Sequence, residues 1–195
     1  DNIVIYEKFQ TALIPFKEIQ IEIATARSEE YDSNSRKPNV KSTSVEKDLS
    51  RRDFTINSIA LSLNEDSYGT IMDPFNGIED IKKQIIKTPI NAEDTFKEDP
   101  LRMLRAIRFS AQLNFKIENE TLKAIERQRK RLKIISWERI TEEIIKSLKT
   151  DKPSIAFYLF KDTNLLSYIF PEIDIMPGID VIDGYGHKDV FIHTL

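Results

Sequence analysis

Two short clusters hold the residue types that handle a nucleotide. The first is Arg51, Arg52 and Asp53, with Asn57 four positions beyond the aspartate; the second is Glu98, Asp99 and Arg102, followed by Arg105 and Arg108. An aspartate beside two arginines offers acceptors to ribose hydroxyls and forked donors to phosphate oxygens, while Asn57 suits either the turn or the sugar. Asp99 and Arg102 stand three apart, a spacing that projects both from the first turn of one helix toward a common point. There a carboxylate accepts from an exocyclic amine and a guanidinium donates to a ring nitrogen or carbonyl oxygen, a pairing that cytosine and adenine complete. Guanine and uracil present the wrong order of donors and acceptors at the amine position and leave buried polar groups unmatched, which discriminates strongly.

These clusters need elements to hold them. Ile3 to Tyr6 reads as a strand, and Ile19, Ile21 and Ile23 alternate with Gln20, Glu22 and Ala24 in another, with Glu22 on the face opposite the isoleucines. Residues 28–44 are polar, contain Pro38 and predict a mobile surface loop. From Val45 the pattern predicts a helix that takes in Phe54, Ile56, Ile59, Ala60 and Leu63, then a turn over Asp66–Gly69 and a short strand over Thr70–Met72. Asp73 to Gly77 predicts a second turn, leading to a short helix with Ile78, Ile81 and Ile85. Beyond about Ile90 the chain is helical. Asp99 and Pro100 have the types of an N-cap and first-turn proline, ahead of a stripe of Leu101, Leu104, Ile107 and Ala111. Arg105 and Arg108 lie one position after that stripe, which places the arginine row on a cleft wall. Asn119 predicts another cap, and Ile135 and Ile140 occupy the two positions of a hydrophobic staple around Ser136.

The chain has 195 residues, of which 40% are hydrophobic and 31% charged, enough to bury a core. No apolar run approaches the roughly 20 residues of a membrane span. Cysteine is absent, so a disulfide framework and thiolate metal sites are excluded, and a cytoplasmic setting is expected. Net charge is −3, from 29 Lys plus Arg against 32 Asp plus Glu, so any basic surface must be local. Arg127, Arg129, Lys130, Arg131 and Lys133 form such a run.

The stretch Arg51 to Ala60 resembles the R-R-D-x-x-x-N-A motif of the tRNA nucleotidyltransferase family, which includes CCA-adding enzymes and bacterial poly(A) polymerases. Ser58 stands where the family has alanine. Glu98, Asp99 and Arg102 resemble its E-D-x-x-R motif. Asp73 to Asp80 resembles D-P-x-x-G-x-x-D-L, with Ile81 in place of leucine, and is a hinge segment in the family with no ligand contact assigned. Glu138, Arg139, Ile140 and Glu143 resemble E-R-I-x-x-E-[LI], read here as a support for the base-reading helix through ion pairs at spacings of three and four. The resemblance implies an α+β chain: a partial nucleotidyltransferase-type mixed β-sheet head over 1–88, an α-helical nucleotide-reading neck over 89–172, and a linker with the start of an HD-type domain over 173–195. It implies Arg52, Asp53, Asn57, Asp99, Arg102, Arg105 and Arg108 as nucleotide-binding residues, the last two as triphosphate contacts.

Its implied activity is template-independent transfer of CMP and AMP from CTP and ATP to the tRNA 3′ end, with this chain carrying the recognition part. Poly(A) polymerase, C-only and A-only enzymes share these motifs, and a non-catalytic nucleotide- or RNA-binding module is the reading from another class. Mg2+ is implied by the family because attack by a 3′ hydroxyl needs metal to activate it and to neutralise the triphosphate. The family's Gly-Gly-x-x-x-Arg-Asp stretch and Asp-x-Asp strand, which hold the metal, are missing from the sequence, and Glu22 is the one remaining catalytic candidate. The chain therefore reads as a fragment or an incompletely represented protein that does not add nucleotides alone, with no metal site assigned. Gly186 to Leu195 resembles the entry to an HD-type phosphohydrolase domain.

Overall fold

The structure is a computed structural model that describes residues 3–7, 10–30, 39–176, 181–182, 185–186 and 191. The chain divides into two compact units, Asp1–Arg51 and Arg52–Leu195.

In the first unit, β1 (Val4–Tyr6), β2 (Thr11–Phe16) and β3 (Ile19–Ala24) form an antiparallel meander in that order. Phe16 lies across from Ile19, and Lys17 makes the tight reversal between them by adopting a left-handed backbone, φ 56°. Glu22 pairs across from Leu13 and is exposed. Ile19, Ile21 and Ile23 also stay 62%, 41% and 55% exposed, so alternation produced a strand without a buried face. The polar stretch 28–44 is not a loop throughout. Its ends belong to β4 (Arg27–Glu30) and β5 (Asn39–Ser42), which pair antiparallel, because a hairpin satisfies backbone groups that a polar side-chain pattern does not reveal. Residues 31–38, with Pro38, lie outside the described residues.

The helix expected from Val45 is short. α1 (Val45–Ser50) is capped by Ser44, whose hydroxyl accepts from the Lys47 backbone N–H at 3.3 Å. In the second unit Phe54 is extended and fully buried, and the Thr55 N–H donates to the Lys87 carbonyl at 2.8 Å. That tie, with burial of the Phe54 ring, overrides the helical spacing of the apolar residues, and only a 3-10 turn over Thr55–Asn57 follows. β6 (Ala60–Leu61) and β7 (Ile71–Met72) then pair antiparallel.

Asp73 closes the next turn: its two carboxylate oxygens accept from the N–H groups of Gly77 and Ile78 at 2.6 and 2.9 Å, at the start of α2 (Gly77–Lys83). A side chain at Gly77 would place its Cβ 2.2 Å from the Thr55 carbonyl oxygen, so glycine is required there to let the turn press against the Thr55 backbone. Asp80 on α2 accepts from the Thr55 hydroxyl at 2.7 Å. α2 ends at Gln84, φ 57°, and Ile85 belongs to β8 (Ile85–Ile86) instead of the helix, parallel to β9 (Lys116–Ile117).

The helical part is built around α4 (Leu101–Leu113), packed by α3 (Ala92–Glu98), α6 (Trp137–Leu148) and α7 (Pro153–Asp162). Leu101, Leu104, Ile107 and Ala111 are buried as expected, and so are Met103, Ala106, Arg108 and Ser110. This leaves Arg102, Arg105 and Phe109 as a partly exposed stripe on a helix otherwise enclosed until its last turn. α5 (Asn119–Gln128) is preceded by Glu118, which accepts from the Thr121 hydroxyl at 2.9 Å; Glu118, not Asn119, holds the cap position. A 3-10 segment over Arg129–Ile134 leads into α6, where Ile140 is buried and Ile135 packs on the core, as the staple requires. α8 (Leu166–Ile169) and α9 (Pro171–Asp174) follow, with Leu165, Leu166 and Phe160 buried. Among the described residues no helix is long and apolar enough to cross a membrane. The HD-type reading falls largely on residues 187–190 and 192–195, outside those described.

Candidate nucleotide-reading site

Asp99 sits where α3 ends and α4 begins. Its backbone is extended, φ −139° and ψ 102°, which turns the chain between the two helices and leaves the side chain at the mouth of α4. One carboxylate oxygen accepts from the Leu101 N–H at 3.1 Å, as the reading of Asp99 as a cap requires. The other accepts from Arg139 of α6 at 2.8 Å. The Arg139 guanidinium is about half exposed, so this pair stands at the rim.

Arg102, the second residue of α4, is tied from behind. Its guanidinium donates to the Glu98 carboxylate at 2.8 Å and to the Thr95 carbonyl at 3.3 Å. The Arg102 side chain is only 12% exposed, so its direction is held by the last turn of α3. Asp99 and Arg102 thus open the same helix, each with a partner from a different neighbour.

A second set of charges lies deeper. Asp53 accepts from Nε and a terminal nitrogen of Arg105 through one oxygen, at 2.9 and 2.6 Å. Its other oxygen accepts from the Phe54 N–H at 2.9 Å and the Asn57 side-chain amide at 3.0 Å. Asn57 therefore holds the turn. Asp53 is 8% exposed and fully engaged, an internal strut instead of the open ribose acceptor its sequence neighbours suggest. Arg52 begins the second unit beside it and is exposed.

Arg105 reaches onward to Glu143 of α6 at 3.7 Å, and Arg108 donates to the same carboxylate at 2.7 Å and to Gln112 at 2.7 Å. Lys146 adds a contact at 3.1 Å. Burial pushes the Glu143 carboxyl up, but Arg108, by hydrogen bond and charge, and then Lys146 and Arg105, outweigh it and hold it below its ordinary value of 4.5. Arg108 is 8% exposed, so the expected cleft-wall position is corrected: it belongs to the interior, where its charge is matched by Glu143. Phe109 lies under both guanidiniums, 5.4 and 4.0 Å from ring centroid to Arg105 and Arg108, and meets Phe54 edge-on at 5.8 Å. The set joins the Arg52–Asn57 segment, α4 and α6 into one strut beneath the mouth where Asp99 and Arg102 sit.

Sequence reasoning named Arg108 and Glu143 but did not pair them with each other. Glu143 falls on the stripe Ile140, Ile144 and Ser147, and Arg108 on that of Leu104 and Ala111. A carboxylate and a guanidinium on the apolar faces of two helices must meet or stay unpaired, and that was the available signal. Glu98 was quoted for its motif without its role as the partner of Arg102. Glu22 stays on the exposed sheet of the first unit. Among the described residues no group of three or more His, Asp or Glu side chains gathers to hold a metal ion, so the donors present do not fit Mg2+.

The family model described as "Poly A polymerase head domain" matches residues 2–87, and that described as "Probable RNA and SrmB- binding site of polymerase A" matches residues 114–176. A CCA-adding enzyme of Lactobacillus helveticus is 39% identical over 173 residues, 82% of this chain and 42% of the relative. An A-adding tRNA nucleotidyltransferase of Aquifex aeolicus is 41% identical over 126 residues, 64% of this chain and 15% of the relative. The crystal structure of the Bacillus stearothermophilus CCA-adding enzyme in complex with CTP superposes with a TM-score of 0.75 at 36% identity, covering 87% of this chain and 40% of that one. This chain spans about two fifths of the length of the CCA-adding relatives it matches. With the motifs, the α+β fold and these matches in agreement, the chain belongs to the tRNA nucleotidyltransferase and poly(A) polymerase family.

Proposed function

We propose that this chain carries the base-reading part of an enzyme that completes tRNA 3′ ends by adding CMP and AMP from CTP and ATP. The observation that supports it is the mouth of α4, where an acceptor, Asp99, and an immobilised donor, Arg102, stand one helical turn apart. Cytosine and adenine each offer an exocyclic amine to Asp99 and an adjacent ring nitrogen to Arg102. Entry of a base exchanges the Arg139–Asp99 contact for an amine–Asp99 contact. Rim charges of this kind contribute little on their own, so the exchange costs little. Arg102 keeps Glu98, whose carboxylate fixes the donor so that a base with a carbonyl at the amine position faces Asp99 acceptor to acceptor.

The roles of the other arginines follow from their partners. Arg105 and Arg108 set the height and angle of α4 and are positioning residues, while Arg52 is the candidate for the triphosphate. Magnesium supplies activation of the 3′ hydroxyl in such chemistry, and no step through it is assigned to these residues. The reading is tested by titrating the chain with each nucleoside triphosphate. CTP and ATP should bind at least about tenfold more tightly than GTP and UTP, from one charge-assisted hydrogen bond of roughly 1.5–3 kcal/mol. Equal affinity for CTP and GTP would sink the roles of Asp99 and Arg102. An A-only enzyme is the second reading, favoured by the A-adding relative; incorporation of labelled CMP into tRNA lacking its CCA end by the whole protein separates the two.

A further inference from the structure

A shallow groove opens on the face of α6 next to the mouth of α4. Its floor is Leu132, Ile135 and Ile140, its walls are Trp137 and Tyr168, and Lys133 stands over the Tyr168 ring with Nζ 5.5 Å from the centroid. Its volume is about 350 Å³, at the small end of ligand pockets. Trp137 is 59% exposed, a large apolar area to leave in water at the first residue of a helix whose buried face lies elsewhere. Lys130 and Lys133 are exposed, and among the described residues neither has a carboxylate within ion-pair distance. Glu138, the acid next to Trp137, is held below the usual carboxylate range by its own backbone N–H and then by the Ser136 hydroxyl. The groove thus combines two aromatic faces with unmatched positive charge. Two residues beyond Trp137, on the same helix end, Arg139 reaches Asp99.

We propose that this groove is a stacking subsite for an unpaired base near the 3′ end of the RNA that receives the nucleotide, with Trp137 and Tyr168 taking the base and Lys133 the phosphate beside it. Aromatic faces accept any base, and they need it unstacked from its neighbours, which a single-stranded end provides and a duplex does not. The lysines meet the phosphates, so charge complementarity favours nucleic acid over an apolar peptide. This rests on the reading that the chain handles RNA 3′ ends, and narrows it to particular side chains.

Trp137 is the single tryptophan of the chain, so its emission reports on the groove alone. The chain is titrated with a single-stranded RNA hexanucleotide and with an abasic ribose-phosphate oligomer of the same length, while anisotropy of labelled RNA gives affinity. The hexanucleotide should quench Trp137 to saturation and the abasic oligomer should not. Trp137→Ala should weaken RNA binding about 5- to 10-fold, within what stacking of one base contributes, and Trp137→Phe should keep it within about twofold. Lys133→Gln should flatten the salt dependence. CTP affinity, read in the same preparations, should not change in Trp137→Ala. Equal quenching by both oligomers, an unchanged anisotropy curve for Trp137→Ala, or quenching by polyglutamate in place of RNA would overturn the subsite, whatever the CTP result. A rise of the signal with protein concentration alone, which would mean that a second copy covers the groove, would overturn it as well. Loss of CTP-over-GTP preference with base-dependent quenching intact counts against the nucleotide reading and for the groove.

Discussion

Arginine and carboxylate meet twice in this protein, with opposite consequences. At the mouth of α4, Asp99 pairs with a half-exposed Arg139, and Arg102, 12% exposed, is tied to Glu98. Below it, Asp53, Glu143 and Arg108 are enclosed and mutually engaged, Arg105 reaches them from a position about one third exposed, and Phe109 lies under both guanidiniums. The Asp99–Arg139 pair is exchangeable because water can replace either partner at small cost. The second is not, because removing one charge strands the other in a low-dielectric interior. The same residue chemistry makes an exchangeable rim pair where it is wet and a strut where it is dry.

The largest effect should come from breaking the strut. Glu143→Ala leaves Arg108 without its carboxylate and should cost about 3–5 kcal/mol in urea unfolding. The double replacement of Arg108 by Met and Glu143 by Leu should recover most of that loss, because a packed apolar pair removes the need for compensation. If the single variant unfolds like the parent, the contrast between the two regions fails. At the mouth, Asp99→Ala should cost only about 1 kcal/mol in urea unfolding, the loss of one contact at the start of α4. It should also erase the preference of CTP over GTP, a change of about 10- to 100-fold in relative affinity. A collapse of stability in that variant would make Asp99 structural.

Glu98→Gln tests the steadying of Arg102. CTP binding should weaken by about three- to tenfold, from the loss of one charge-assisted contact that orients the donor, with stability nearly unchanged. Affinity equal to the parent's would show that Arg102 is oriented without Glu98. The smallest effect is the pH response of the strut. Glu143 has its carboxyl held below 4.5, so its contribution to stability is fully present above about that pH and is lost as pH falls through the lower folded value. Urea midpoints from about pH 7 down to about pH 3 should therefore fall along an acid limb that Glu143→Gln makes shallower. An identical limb in the variant would mean that other carboxylates carry it.

Much of the frame was legible in the residue order. The stripe of Leu101, Leu104, Ile107 and Ala111 gave the central helix, Asp99 and Pro100 its start, and Ile135 with Ile140 the entry to α6, since each depends on neighbours within a turn or two. The region after Arg51 was misread because its apolar residues have helical spacing. Their fate was decided by a backbone bond from Thr55 to Lys87, thirty-two positions away, and by the close approach of Gly77. The polar stretch 28–44 was misread at its ends for the same reason, a hairpin being a long-range pairing.

The sequence by itself determined which chemistry was available: paired arginines and aspartates at motif spacing, one helix to present them, and a family to which they belong. Only the tertiary structure decided which of these charges are enclosed and which stay at the rim. Spacing along a helix fixes direction around its axis, but exposure depends on what another helix places opposite. α6 supplied both opposing groups, a buried Glu143 that drew Arg105 and Arg108 inward and a rim Arg139 that left Asp99 at the surface.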